Sequence, residues 1–112
     1  EILKLHNFKV IHNFIFKTTR KYQIDVFAER GELILAIDCK QWGKGRYKSY
    51  PLKIAALSQK ERVGELEKIV KGKKVIPIIL TLRDEGIYEI ESVLIVPLFK
   101  LNNFLLNLEN YV

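Results

Sequence analysis

Asp25 and Asp38 stand in two runs of otherwise mostly apolar residues, Tyr22 to Glu29 and Leu33 to Lys40. Aspartate is disfavoured in strands, and burying an unpaired carboxylate costs several kcal/mol, so two of them need a reason. Asp38 and Lys40 are two apart on one extended segment and therefore share a face. Two carboxylates held close repel, and one is driven to keep a proton unless a cation sits between them. Donors that are all oxygen suit Mg²⁺ or Mn²⁺, and the Cys39 carbonyl could add a third ligand to Asp25 and Asp38. Opposite charge favours the ammonium form of Lys40, which suits it to orienting water or stabilising charge on a phosphate oxygen. The ion rather than the lysine would then be the source of hydroxide. The purely structural alternative is a buried Asp–Lys ion pair. Such pairs contribute little net stability, and this one leaves the second carboxylate unexplained.

The elements around these residues decide whether they meet. The two runs flank a short turn containing Gly31 and read as a hairpin. If Gly31-Glu32 is a two-residue loop, Arg30 faces Leu33 and Asp25 falls opposite Asp38, with Cβ atoms about 5 Å apart. A four-residue loop keeps both on one face; a three-residue loop separates them. On strict alternation Ile24, Val26, Leu35 and Ile37 point one way and Phe27, Ile34 and Ala36 the other, so both faces of the hairpin are apolar. Such strands lie centrally in a sheet covered on both sides. Glu1 to Leu5 reads as the tail of a helix stopped by Asn7, and Phe8 to Lys17 as a first strand. Trp42 to Tyr50 reads as a loop. Pro51 opens a helix whose stripe is Leu52, Ala56, Gln59, Val63, Leu66 and Val70, closed by Gly72. Val75 to Leu82 is a strand, Ile87 to Val96 one strand or two short ones, and Pro97 to Leu108 a helix. The predicted architecture is a three-layer α/β/α domain with a central mixed β-sheet flanked by helices.

At 112 residues the chain reads as one domain. Its 48% hydrophobic and 29% charged residues are those of an ordinary globular protein. No apolar run approaches the roughly 18 residues of a membrane span, and the amphipathic helices mix both charges on their polar faces, which argues against a membrane partner. One cysteine, Cys39, excludes an internal disulfide; it reads as a small core hydrophobe, and the expected setting is cytoplasmic. The net charge of +6 points to a polyanionic partner, nucleic acid first. That charge is concentrated: Cys39 through Lys60 holds no acidic residue but includes Lys40, Lys44, Arg46, Lys48, Lys53 and Lys60. Trp42, Tyr47 and Tyr50 interleave with Lys44, Arg46 and Lys48, a pattern that could clamp a nucleic-acid backbone, cations on phosphates and aromatics on bases or sugars. The alternative is a surface loop whose tyrosines pack on the core edge. Arg20 and Lys21 would flank the same cleft or serve as ordinary turn residues. Gln59 is either a hydrogen-bonded core amide or a support for the site. His6 and His12 lack a metal-ligand spacing.

Tyr-Gln-Ile-Asp25-Val-Phe-Ala and Ile-Asp38-Cys-Lys40-Gln41-Trp42, with twelve residues between the two aspartates, resemble the PD-(D/E)xK nuclease superfamily, closest to Mrr-like restriction endonucleases and archaeal Holliday-junction resolvases. The resemblance implies a restriction-endonuclease-like fold, Asp25 and Asp38 as ligands of Mg²⁺ or Mn²⁺, Lys40 as the catalytic lysine and Gln41 as a contact to substrate or water. It departs from the pattern in three ways. Ile24 replaces the proline, Asp38 replaces the more usual glutamate and brings the metal closer to the strand, and only Glu1 to Leu5 remain of a first helix that often carries a glutamate. Glu1 could be that residue, and the chain reads as a domain cut from a longer protein. The expected function is metal-dependent hydrolysis of DNA phosphodiesters. The alternatives are an inactive module on the same fold that recognises branched or modified DNA and, more distantly, a structural or protein-interaction domain. A homodimer formed through the apolar Val93 to Phe99 segment is a further expectation, although that segment serves equally well as core.

Overall fold

The computed structural model describes residues 2–40, 49–84 and 86–111. The elements run in the order α1 (Ile2–Leu5), β1 (Lys9–Lys17), β2 (Lys21–Arg30), β3 (Leu33–Lys40), α2 (Ser49–Glu67), β4 (Lys74–Thr81), β5 (Glu89–Ile90), β6 (Val93–Pro97) and α3 (Leu101–Leu106). Single 3-10 turns flank α3 at Leu98–Lys100 and Leu108–Tyr111. The six strands form one sheet in the order β1-β2-β3-β4-β6-β5. The β1, β2 and β3 neighbours are antiparallel, β4 and β6 continue parallel to β3, and β5 closes the edge antiparallel to β6. This is a mixed α/β sheet, as the pattern predicts, and α2 is the crossover that the parallel β3–β4 pair requires.

Both faces of the sheet are covered. Leu101, Phe104, Leu105 and Leu108 pack on one face against Phe8, Ala28, Leu35, Ile37, Ile76, Ile78 and Val96. On the other, α2 lays Val63 and Leu66 against Ile24, Phe27, Ile34, Ala36 and Val75, and Leu52, Ala55 and Ala56 against Ile79, Val93 and Ile95. The spacing of the helix stripe is what makes this possible, because residues three and four apart share one side of a helix. Pro51 falls in the first turn of α2, which begins at Ser49, where a missing N–H leaves no intrahelical bond unmade. The helix ends at Glu67, earlier than Gly72, although Val70 still packs on the core and its N–H still donates to the Leu66 carbonyl at 3.1 Å. Glu91 and Ser92, both at positive φ, split the segment after β4 into β5 and β6.

The hairpin register is the predicted one. Gly31 sits at φ +60° and Arg30 pairs with Leu33, Ala28 with Leu35 and Val26 with Ile37. The side-chain alternation, however, is interrupted. β1 and β2 pair in one register on either side of Asn13 and Asp25, His12 with Val26 and Phe14 with Ile24, but Asn13 and Asp25 themselves drop out of the ladder, and Asn13 adopts φ +54°. Beyond this break Ile24 joins Phe27, Ile34 and Ala36 on the α2 face, not Val26, Leu35 and Ile37 as strict alternation predicts. A local left-handed residue in one strand re-aims the side chains that follow it, as bulges do beside functional sites. Cys39 is also corrected. It is exposed, lining a pocket of about 200 Å³ with Leu80, Leu82 and Leu98, because the end of β3 runs past the helical cover of that face.

Candidate active site

The break positions the site. β2 and β3 pair from Arg30–Leu33 as far as Val26–Ile37. Past that point Lys21 to Ile24 stay with β1, while Asp38, Cys39 and Lys40 stay with β4, opposite Ile79, Leu80 and Thr81. The two strands part, and a pocket of about 490 Å³ opens between them and α2, lined by Arg20, Lys21, Tyr22, Gln23, Asp25, Asp38, Lys40, Ser58, Glu61 and Arg62. Parting leaves the Cys39 N–H without a strand partner. The Asp25 carboxylate takes that place, its Oδ2 accepting from Cys39 N at 3.0 Å.

Asp38 is 6% exposed, and its Oδ2 accepts no hydrogen bond. Two cations stand near that oxygen without bonding geometry: Lys40 Nζ at 3.3 Å and Arg62 Nη1 at 3.8 Å. Burial pushes the Asp38 carboxyl above its usual range, and the neighbouring Asp25 side chain pushes it the same way, while Lys40 and Arg62 pull it down. The balance is upward, so the cations present do not fully compensate the charge.

Gln59 resolves as a hydrogen-bonded core amide that also touches the site. It is fully buried; its Nε2 donates to the Ala36 carbonyl at 2.8 Å and lies 3.3 Å from that of Ile78, tying α2 to β3 and β4. Its Oε1 accepts from Arg62 Nη1 at 2.6 Å. At the mouth of the pocket Arg20 donates to Glu61 at 2.8 Å and lies over the Tyr22 ring at 4.7 Å, while Tyr22 Oη donates to Glu61 at 3.0 Å. Those two donors hold the Glu61 carboxyl below the usual carboxylate range.

Of the residues expected from sequence, the structure brings together Asp25, Asp38 and Lys40, with Arg20 and Lys21 on the same pocket wall. Gln41, Trp42, Lys44, Arg46, Tyr47 and Lys48 lie outside the described residues, as do Glu1 and the side chain of Tyr50. His6, in the turn after α1, is taken up by Asn102 of α3, 2.8 Å away. The Val93–Phe99 segment is interior as far as Pro97, with Leu94 half-buried; Leu98 and Phe99 are its exposed members. Sequence reasoning missed Arg62, although a signal was there. It stands three residues after the one polar member of the α2 stripe, which places it beside Gln59 on the helix.

The donor set fits a hard divalent cation on one count and falls short on another. A buried carboxylate oxygen with no bonded partner, next to a second carboxylate at the edge of a pocket of about 490 Å³, matches a site that completes an ion's shell with water and substrate oxygens. Among the described residues, no group of three His, Cys, Asp or Glu side chains gathers in a way that could hold a metal ion. A metal here would rest on Asp25, Asp38 and backbone oxygen.

Fold and site together define a mixed α/β domain with an acidic and basic pocket where its central hairpin opens. No family model matches the chain. A protein from Archaeoglobus fulgidus, described as an uncharacterized protein, is 32% identical over 112 residues, taking in 99% of this chain and 86% of its own length. The chain belongs to the family of that archaeal protein. The crystal structure of a protein of unknown function superimposes with a TM-score of 0.57 and 28% identity over 71% of this chain. The chain spans 41% of the length of that solved protein.

Proposed function

We propose that the chain is a metal-dependent endodeoxyribonuclease domain of the PD-(D/E)xK type, on a restriction-endonuclease-like fold. The observation that carries the reading is Asp38: a buried carboxylate with an unbonded oxygen, 3.3 Å from Lys40 and lining one pocket with Asp25. The element order supports it, since a short helix, three antiparallel strands, a crossover helix and a parallel strand is the frame the resemblance implies. Asp25 and Asp38 would hold the ion. When bound, Mg²⁺ or Mn²⁺ would neutralise the paired carboxylates and supply Lewis acidity at a phosphate. Lys40, 3.3 Å from Asp38, would orient the attacking water or stabilise charge on a phosphate oxygen. Asp25 keeps β3 in place through the Cys39 N–H while leaving its second oxygen for the ion. The basic residues of the pocket and of the segment after β3 would carry the DNA backbone.

One observation favours the non-cleaving alternative, a module that binds branched or modified DNA: the carboxylates number two, with no third acidic, histidine or cysteine side chain joining them among the described residues. Cleavage separates the two readings. Plasmid and branched DNA are incubated with the wild type and with Asp38→Ala, in Mg²⁺ or Mn²⁺. The nuclease reading expects metal-dependent cutting that falls on the order of 10³-fold in the variant. DNA binding by both proteins with cutting by neither returns the site to the binding module.

A further inference from the structure

We propose that Arg62 binds a phosphate of the substrate backbone and that Gln59 is the residue that aims it, an assignment that rests on the nucleic-acid reading of the same pocket. The two side chains form a chain of polar contacts running from the sheet to the site. Gln59 is fully buried on the apolar stripe of α2, where an amide is costly unless every group is used. Its nitrogen is fixed on the Ala36 carbonyl, with that of Ile78 beyond it, so its oxygen is left as an acceptor. Only a donor can sit against that oxygen, and Arg62 does, at 2.6 Å.

The guanidinium pairs with Asp38 only as a long ion pair, without a hydrogen bond. It stops 3.8 Å from Asp38 Oδ2, which accepts no hydrogen bond, and one of its five donors is committed to Gln59. A planar fork anchored at one corner and lining the pocket beside Lys40 matches two oxygens of a phosphate. Arg20, the other guanidinium on the wall, is already engaged by Glu61. Arg62 therefore supplies the oriented positive charge next to the carboxylates, where the reacting phosphate would lie.

The test uses a duplex oligonucleotide, Mn²⁺ and the whole chain. DNA binding is measured without divalent metal across a range of salt concentrations for the wild type, Arg62→Gln and Gln59→Leu, and in the double variant. Mn²⁺ binding without DNA and thermal midpoints are read alongside. Loss of one phosphate contact in Arg62→Gln lowers the slope of log K against log salt by about 0.9. Mn²⁺ affinity stays the same or rises, because a positive charge beside the ion has gone. Gln59→Leu reduces the slope in the wild-type background and adds nothing to Arg62→Gln, since both act through one guanidinium. An unchanged slope in Arg62→Gln overturns the proposal, as does a fall in Mn²⁺ affinity, which would make Arg62 a prop for Asp38. The slope reports phosphate contact whether or not the protein cuts, so failure of cleavage in the wild type counts against the nuclease reading and leaves this measurement decisive for Arg62.

Discussion

Asp38 is the residue at which stability and the proposed chemistry oppose each other. Its carboxyl is held above the ordinary range, so in the metal-free protein the folded state binds that proton more tightly than the unfolded chain does. As pH rises from the ordinary carboxylate range through the raised value, folding therefore loses stability, and the loss persists above it. Well below the unfolded value of about 3.9 both states are protonated and the penalty vanishes. Asp38→Asn removes the charge and keeps the shape. In EDTA at neutral pH it should raise stability by about 0.5–2 kcal/mol, the size of an ordinary single stabilising substitution. The gain should disappear on acidification below the carboxylate range, as read by denaturant melts across pH. A variant that is less stable at neutral pH would show that Lys40 and Arg62 compensate Asp38 after all. Asp38 and Lys40 were legible in sequence because a charged residue in an apolar strand is visible without any structure. Arg62 was not, because one arginine on a helix resembles any solvated charge until the buried Gln59 beside it is seen to need a partner.

At the scale of elements, two positive-φ positions set the geometry that brings the carboxylates together. Gly31 turns the hairpin at φ +60°, and a Cβ placed there meets nothing within 4 Å, so the cost of Gly31→Ala is purely that of the left-handed backbone. That cost is about 1–2 kcal/mol. Asn13, at φ +54° in β1, faces the gap where Asp25 leaves the ladder, and its Oδ1 accepts from Gln23 Nε2 at 3.1 Å. Asn13→Gly should be tolerated within about 0.5 kcal/mol. Asn13→Val should cost about 1–3 kcal/mol, because a β-branched residue in a left-handed conformation is strained. If the β1 break holds β2 away from β3, Asn13→Val should also reduce cleavage more than Gly31→Ala does at equal loss of stability. The hairpin was readable because Gly31 and the flanking apolar runs mark one short turn, although loop length and hence register stayed open until the structure paired Arg30 with Leu33. The break was not, because the register is the same on both sides of it and apolar residues occupy both faces. Alternation alone therefore could not show that Ile24 changes side. The end of α2 was misplaced for a related reason: apolar Ile69 and Val70 continue the spacing after the helix itself has stopped.

At the scale of the molecule, the site and the fold are one thermodynamic system. Asp38 belongs to β3, which pairs with β2 and β4 and is tied to α2 through Gln59, so an ion that relieves Asp38 acts on the centre of the sheet. Binding to the folded state alone stabilises by RT ln(1 + [L]/Kd), about 2.7 kcal/mol at a hundredfold excess over Kd. For a domain of this length that corresponds to a rise in Tm of roughly 10–20 °C. Mn²⁺ should therefore raise the melting temperature of the wild type as its concentration increases, while the Asp38→Asn protein, already relieved of its charge, should start higher and respond little. Asp25→Asn should fall between, because its amide can no longer serve the ion as a carboxylate does but still presents an oxygen to the Cys39 N–H. Scanning calorimetry with an Mn²⁺ series reads all three proteins without any substrate. A wild-type Tm that does not move with Mn²⁺ would leave the two aspartates without their ion. The pocket would then be read from its cations alone, as a surface for a polyanion.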